Sequence, residues 1–349
     1  MIQRYFPRER LYTIVYGIFG TACFWYFDLP LPFLFGPMAA SLVVALMGGK
    51  PAGFGRISIF ARTILGVAVG ASITPEVIES LPDIAKSVAL VPVYLGLVGV
   101  LGYAYFRRIH KFDPPTAYFS AMPGGLQDMI IFGEEAGGNP RTLSLIHATR
   151  VLVIVTIAPV LLTGAYGAVL SHPIGSPALD LPWHELVLML VAALFGWKIA
   201  ERLGLFGASI LGPLIAAALL SLGGLIHSRP PAEAILFCQF FIGAGIGVHY
   251  VGVTLRELRQ VVSAATLYVL LLAIVAAIFA RIATSYGFAE PVEAFLAFVP
   301  AGQAEIAILA IVVGADLGFV VTHHLVRITL VILGAPLIAN RVRVSKPRD

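Results

Sequence analysis

Long apolar runs separated by brief polar punctuation cover almost the whole chain. They fall at 11–27, 33–48, 57–73, 84–106, 115–135 and 143–170, then again at 183–200, 207–222, 233–251, 261–285, 292–315 and 318–339. Within a run such as 261–280 the hydrophobic residues are continuous rather than alternating. A membrane barrel strand would alternate over about ten residues, so the pattern predicts helices. Two runs, 33–48 and 207–222, are short for a hydrocarbon layer of about 30 Å. Each carries a Gly-Pro pair, Gly36-Pro37 and Gly212-Pro213, which predicts helices that are either broken or packed very closely. Connections are short and rich in Gly and Pro, with no inserted soluble domain.

Composition sharpens this picture. The 349 residues are 59% hydrophobic and 12% charged, with mean hydropathy +0.92, whereas soluble domains carry roughly 25% charged residues. A water-soluble globular enzyme is excluded. The net charge of +4 is spread over short patches between apolar runs. No basic soluble module is set aside for a nucleic-acid groove, so direct nucleic-acid binding is not expected. Cys23 and Cys238 lie far apart in apolar segments and fit neither a disulfide scaffold nor a metal cluster. Arg4, Arg8 and Arg10 before the run at Leu11 imitate a signal peptide. Bulky residues and Asp28 after that run favour a retained first helix.

The two halves of the chain repeat each other. Pro123-Gly124-Gly125 followed by Asp128 corresponds to Pro300-Ala301-Gly302 followed by Glu305, at an offset of 177. The same offset relates Gly66 to Gly243, Gly70 to Gly247, His147 to His324, Arg150 to Arg327 and Pro159 to Pro336. A constant register through Pro, His, Arg and an acid points to duplication, with residues 11–170 and 183–339 as two membrane repeats and 340–349 as a basic cytoplasmic tail. If every run spans, the copies are parallel; if each Pro-Gly segment re-enters, each copy crosses five times and the copies are inverted. The inverted ten-span arrangement places Arg141, Lys198, Arg202, Arg256 and Arg259 inside and only Arg229 and Arg281 outside. The parallel twelve-span arrangement reverses these seven. The positive-inside rule therefore predicts an all-α polytopic protein of about ten transmembrane helices in two inverted repeats, with broken or re-entrant helices and both termini cytoplasmic.

Polar residues at membrane depth mark the candidate site. Pro123, Gly124 and Gly125, with Pro300 and Gly302, open backbone that must find partners in protein rather than lipid. Gln127, Asp128, Gln303 and Glu305 follow directly. An ionised carboxylate in hydrocarbon costs several kcal/mol, so Asp128 and Glu305 either handle a coupling H⁺ or Na⁺ or form salt bridges with Arg150 and Arg327 of their own repeats. His147 and Arg150 are three apart, as are His324 and Arg327, which puts each pair on one helical face. Such paired cationic faces suit a central anionic solute. Asn139 and Asp316 stand where helix caps belong. His323-His324 invites a metal reading, but no ligand cluster accompanies it, and neither metal nor cofactor is expected.

With Phe35-Gly36-Pro37 and Leu211-Gly212-Pro213, Ala121-Met122-Pro123-Gly124-Gly125 and Phe298-Val299-Pro300-Ala301-Gly302, the chain resembles the bacterial AbrB-duplication membrane proteins over residues 11–339. Some of these carry the label ammonia monooxygenase or membrane regulator. The resemblance implies a bacterial inner-membrane protein, distantly similar to cation/proton antiporter and anion-transporter folds, and supplies no catalytic residues. The histidines form no oxygen-activating metal site, so no enzyme activity is expected.

The resulting expectation is a secondary transporter of a small anionic solute coupled to H⁺ or Na⁺. Its alternative is a membrane-embedded sensor or regulatory protein that influences gene expression indirectly. The partners expected are the lipid bilayer and a small-molecule or ion ligand, and a homodimer is compatible with such a fold.

Overall fold

Proline at a first helical position fixes φ where no N–H partner is lost, and five helices among the described residues begin in this way. Asp113 and Asn139 add side-chain caps, accepting from Thr116 N and Thr142 N at 2.9 Å. The computed structural model of the chain describes residues 8–170, 174–205 and 207–342, excluding the side chains of 76, 77, 80, 81, 83 and 335–342. The expected basic tail therefore lies outside the described residues beyond position 342. Every regular element among the described residues is helical, with no strand.

In chain order the helices are α1 (Arg8–Tyr26), α2 (Pro32–Leu46), α3 (Arg56–Gly70), α4 (Pro75–Val88), α5 (Leu90–Ala104), α6 (Pro114–Ala121), α7 (Leu126–Glu135) and α8 (Pro140–Gly164). After these come α9 (Trp183–Arg202), α10 (Ala208–Leu222), α11 (Ala232–Val248), α12 (Leu255–Ser285, with a π-helical turn near its start), α13 (Pro291–Phe298), α14 (Gln303–Val313) and α15 (Leu317–Val342). Helix starts at 114, 126 and 140 recur at 291, 303 and 317. That spacing is the 177-residue register read from the motifs.

Five stretches among the described residues are long and apolar enough to cross a membrane by length and composition: Ile84–Ile109, Pro140–Gly164, Trp183–Arg202, Leu255–Ser285 and Leu317–Gly334. Long apolar helices of this kind are consistent with membrane association. The apolar helices α2, α10 and α11 are shorter, with 15, 15 and 17 residues. At 1.5 Å per residue a 15-residue helix covers about 22 Å, less than a hydrocarbon core.

The chain divides into two compact units, each drawing on both halves of the sequence. One comprises Met1–Ser80, Ala168–Val253 and Ala307–Gly318. Here glycines set the helix packing. Gly20 of α1 meets the backbone of Gly36 on α2, and Gly196 of α9 meets Gly212 on α10. Gly66 and Gly70 of α3 lie against the carbonyls of Ile210 and Leu214 on α10, while Gly243 and Gly247 of α11 face Leu34 and Leu42 on α2. The third helix of each copy thus packs on the second helix of the other. Of the two readings of the Gly36-Pro37 and Gly212-Pro213 segments, close packing holds: α2 and α10 continue unbroken past Pro37 and Pro213, with Gly36 and Gly212 in close backbone contact with α1 and α9.

Glu185 anchors a loop in this unit. Its buried carboxylate accepts from the backbone N–H groups of His227 at 3.2 Å and Ser228 at 3.1 Å. Replacing it by alanine leaves two N–H donors unmatched, a loss of about 2 kcal/mol. Faster hydrogen exchange at His227 and Ser228 in Glu185→Ala is the expected outcome, and unchanged exchange would disprove the anchor.

The second unit comprises Leu81–Gly167, Thr254–Ile306 and Phe319–Asp349. Its core brings Phe119 of α6, Met129 of α7, Leu143 of α8 and Val331 of α15 together. It also holds the Pro-Gly segments and the long helices α8, α12 and α15.

Candidate functional site

The Pro-Gly motif interrupts a helix at the same point in each copy. Helix α6 ends at Ala121, and Met122 is extended (φ −73°, ψ 125°) before α7 resumes at Leu126. Helix α13 ends at Phe298, and Val299 is extended (φ −62°, ψ 124°) before α14 begins at Gln303. The cause is local. Pro123 and Pro300 lack an N–H and push the preceding residue out of the helical region. Each break leaves carbonyls of the first half-helix and N–H groups of the second without helical partners.

The arginines take those carbonyls. Arg150 donates through Nη2 to Gly124 O at 2.6 Å and through Nη1 to Met122 O at 3.2 Å. Arg327 donates through Nη1 to Val299 O and through Nη2 to Ala301 O, both at 2.9 Å. One turn earlier, His147 Nε2 donates to Phe119 O at 3.1 Å and His324 Nε2 to Leu296 O at 2.9 Å. A carbonyl can only accept, so Nε2 carries the proton in both rings. The three-residue spacing therefore forms a clamp that fastens each first half-helix to α8 or α15. It also sets a guanidinium at the negative end of the half-helix dipole. Tyr268 adds a third donor at the first break, to Ala121 O at 2.9 Å.

The acids stand on the other side of the breaks. Asp128 and Glu305 occupy the first turns of α7 and α14, where a helix favours negative charge. The Glu305 carboxylate folds back over Gly302, and a Cβ there would collide with its Oε2. Gly302→Ala should therefore swing the carboxylate off the helix start and cost about 1 kcal/mol. A melting curve of the purified variant unchanged from wild type would contradict this placement.

Burial separates the residues singled out in the sequence. His147, Arg150, His324 and Arg327 are at most 3% exposed. Pro123, Gly124 and Pro300 are buried; Gly125, Asp128, Gly302, Gln303 and Glu305 are half-buried; Gln127 is exposed and stays outside the buried group. Arg150 lies within electrostatic reach of Arg327 and Glu305. An acid from the other copy of the motif, Glu305, thus acts on Arg150. His323 does not join His324 in any shared site: its ring bonds Ser87 Oγ at 2.9 Å and Phe319 O at 2.8 Å. Among the described residues no group of three or more His, Cys, Asp or Glu could hold a metal ion.

Two tyrosines complete the cluster and lie outside the repeated motifs. Tyr94 lies within electrostatic reach of both arginines, and Tyr268 of Arg150. At the 177-residue offset, position 271 is Leu and position 91 is Val, so neither tyrosine has a counterpart. Buried polar atoms left without a hydrogen-bond partner also gather here: Nε of Arg150 and of Arg327, the Tyr94 hydroxyl, Nε2 of Gln303, Nδ1 of His147 and Oγ of Ser120.

Fold and site together define an all-helical protein with membrane-length apolar helices and two broken helices held by buried arginines. The chain belongs to the family described as "Transition state regulatory protein AbrB", which matches residues 33–343. It is similar to the "Putative regulator AbrB" of Escherichia coli (strain K12), 24% identical over 326 residues, 92% of each chain. It is also similar to the "Uncharacterized protein YhjN" of Bacillus subtilis (strain 168), 28% identical over 297 residues, 79% of this chain and 76% of that one. The family description is that of a regulatory protein, as is the name of the Escherichia coli relative. This assignment overturns the exclusion of direct nucleic-acid binding. That exclusion weighed only a separate basic module, whereas phosphate contacts need no more than a few Lys and Arg side chains.

Proposed function

We propose that this chain is a membrane-embedded regulatory protein that responds to a small anionic solute held at the paired helix breaks. The observation that carries the reading is the buried arginine pair. Each guanidinium spends its Nη groups on carbonyls of a break and keeps an Nε–H without a partner. A buried donor left unmatched costs about 1–3 kcal/mol, and an anion arriving between the breaks recovers that cost. Two broken helices are also a two-state element, because ligand contacts that favour one arrangement of the halves shift its population. A strain lacking the gene should lose a transcript response to added small organic anions. The wild-type chain should restore it and the Arg150→Lys/Arg327→Lys double variant should not. Full restoration by the double variant would remove the breaks from sensing.

A second reading is favoured by the mirrored breaks themselves. Half-helices meeting near the middle of a bilayer are the usual site of secondary transporters. In this reading ten crossings form two inverted repeats, 11–170 and 183–339, in an inner membrane with cytoplasmic termini, and a homodimer is admissible. Arg150 and Arg327 attract the solute while Asp128 and Glu305 carry H⁺ or Na⁺. Proteoliposomes should then show pH- or sodium-dependent uptake that Asp128→Asn and Glu305→Gln abolish. Coupled uptake unchanged in both variants would end the carrier reading.

A further inference from the structure

The three buried donors nearest one another in charge and chemistry are Arg150 Nε–H, Arg327 Nε–H and the Tyr94 hydroxyl. Each sits on a side chain at most 3% exposed and none has a hydrogen-bond partner. Tyr94 rises from α5, its ring edge-on to Phe279 at 5.4 Å and to Phe298 at 5.8 Å. Phe298 precedes Val299, whose carbonyl Arg327 holds, so the hydroxyl is delivered beside the second clamp by aromatic packing. A tyrosine buried among phenylalanines normally finds a partner for its O–H. Here the unmatched donors include two guanidinium N–H groups, which pair best with an acceptor of negative charge.

The apolar side of the site narrows the ligand further. Ile154, Ala158, Val269, Phe295, Val299 and Pro300 line a small apolar pocket. Val299 belongs to both features, since its carbonyl meets Arg327 and its residue lines the pocket. An inorganic oxyanion has nothing to place there, whereas a carboxylate with a short hydrocarbon tail does.

We propose that Tyr94, Arg150 and Arg327 form a three-donor seat for the carboxylate of a short-chain organic acid, with its tail in the pocket beside Val299 and Pro300. This rests on reading the helix breaks as a ligand site. Tyr94 fixes the head group and sets selectivity, a role no repeated motif could reveal.

The test uses the full chain purified in detergent, with affinities for sodium butyrate, nitrate and phosphate measured by titration calorimetry and thermal shift. Tyr94→Phe keeps the ring and its packing and removes only the O–H. Expected are an unliganded melting temperature no lower than wild type and butyrate binding weakened by about tenfold, the worth of one hydrogen bond to a charged group. Arg150→Lys and Arg327→Lys should weaken butyrate by at least as much. Butyrate binding that Tyr94→Phe leaves intact while the lysine variants lose it overturns the seat and spares the wider reading. Nitrate or phosphate binding tighter than butyrate overturns the carboxylate assignment. Failure of all three anions to bind the folded wild-type chain overturns the seat and the ligand site together.

Discussion

Arg327→Ala should lower stability by about 3 kcal/mol, more than any single exposed arginine, because two buried carbonyls lose their donors at once. Val299 O and Ala301 O sit at a helix break inside the protein, each 2.9 Å from the guanidinium, and a buried carbonyl left without a donor is costly. The nearby ring of His324, which accepts from Nη2 at 3.3 Å, loses a neighbour as well. Releasing a desolvated cation returns part of this loss. The return is incomplete, since the negative end of the α13 dipole stays behind. Arg150→Ala should cost less, because one of its two bonds is 3.2 Å long and only part-buried. Melting of the two variants in detergent gives the order directly. An Arg327→Ala protein as stable as wild type would mean that the clamp is decoration and the break is held by something else.

Gly243→Leu should be the most disruptive change outside the breaks. A Cβ at this position would meet the Leu34 carbonyl of α2, and backbone cannot swing aside as a side chain can. Helices α11 and α2 must separate, at a cost of about 3 kcal/mol from overpacking. Gly66→Leu should act alike, since its Cβ would strike Ile210 O on α10, and the near-equality of the two is itself a consequence of the duplication. Gly245 lies between Gly243 and Gly247 with nothing in contact range. Gly245→Ala should therefore be neutral or slightly stabilising, as expected for removing a helical glycine at an open position. Equal damage from Gly245→Ala and Gly243→Leu would exclude close backbone approach as the reason for these glycines.

The breaks were legible in advance because Pro123-Gly124-Gly125 and Pro300-Ala301-Gly302 join a proline to glycine just after it, whereas Pro37 and Pro213 stay inside continuous helices. The faces carrying His147 with Arg150 and His324 with Arg327 were legible for a similar reason, since helical geometry and a three-residue spacing suffice. Duplication exposed both, as a residue repeated at 177 stands out from a background of apolar substitution. The Gly36-Pro37 and Gly212-Pro213 pairs likewise offered close packing as one of two outcomes, though not the partner helix.

What the arginines touch could not be read this way. A charge in an apolar run asks for an opposite charge or a bound cation, and the sequence left both roles open for Asp128 and Glu305. The folded chain gives the Nη groups carbonyls of the interrupted half-helices, and it brings Glu305 into reach of Arg150 from the opposite copy. Tyr94 was hidden more deeply, because a residue present in one copy only leaves no echo at the offset. Short-range rules, proline geometry and helical period, thus act within a few residues and are written in the sequence itself. Which helix ends meet, and which donors are left facing inward without a partner, depends on contacts between segments more than a hundred residues apart, and packing alone decides those.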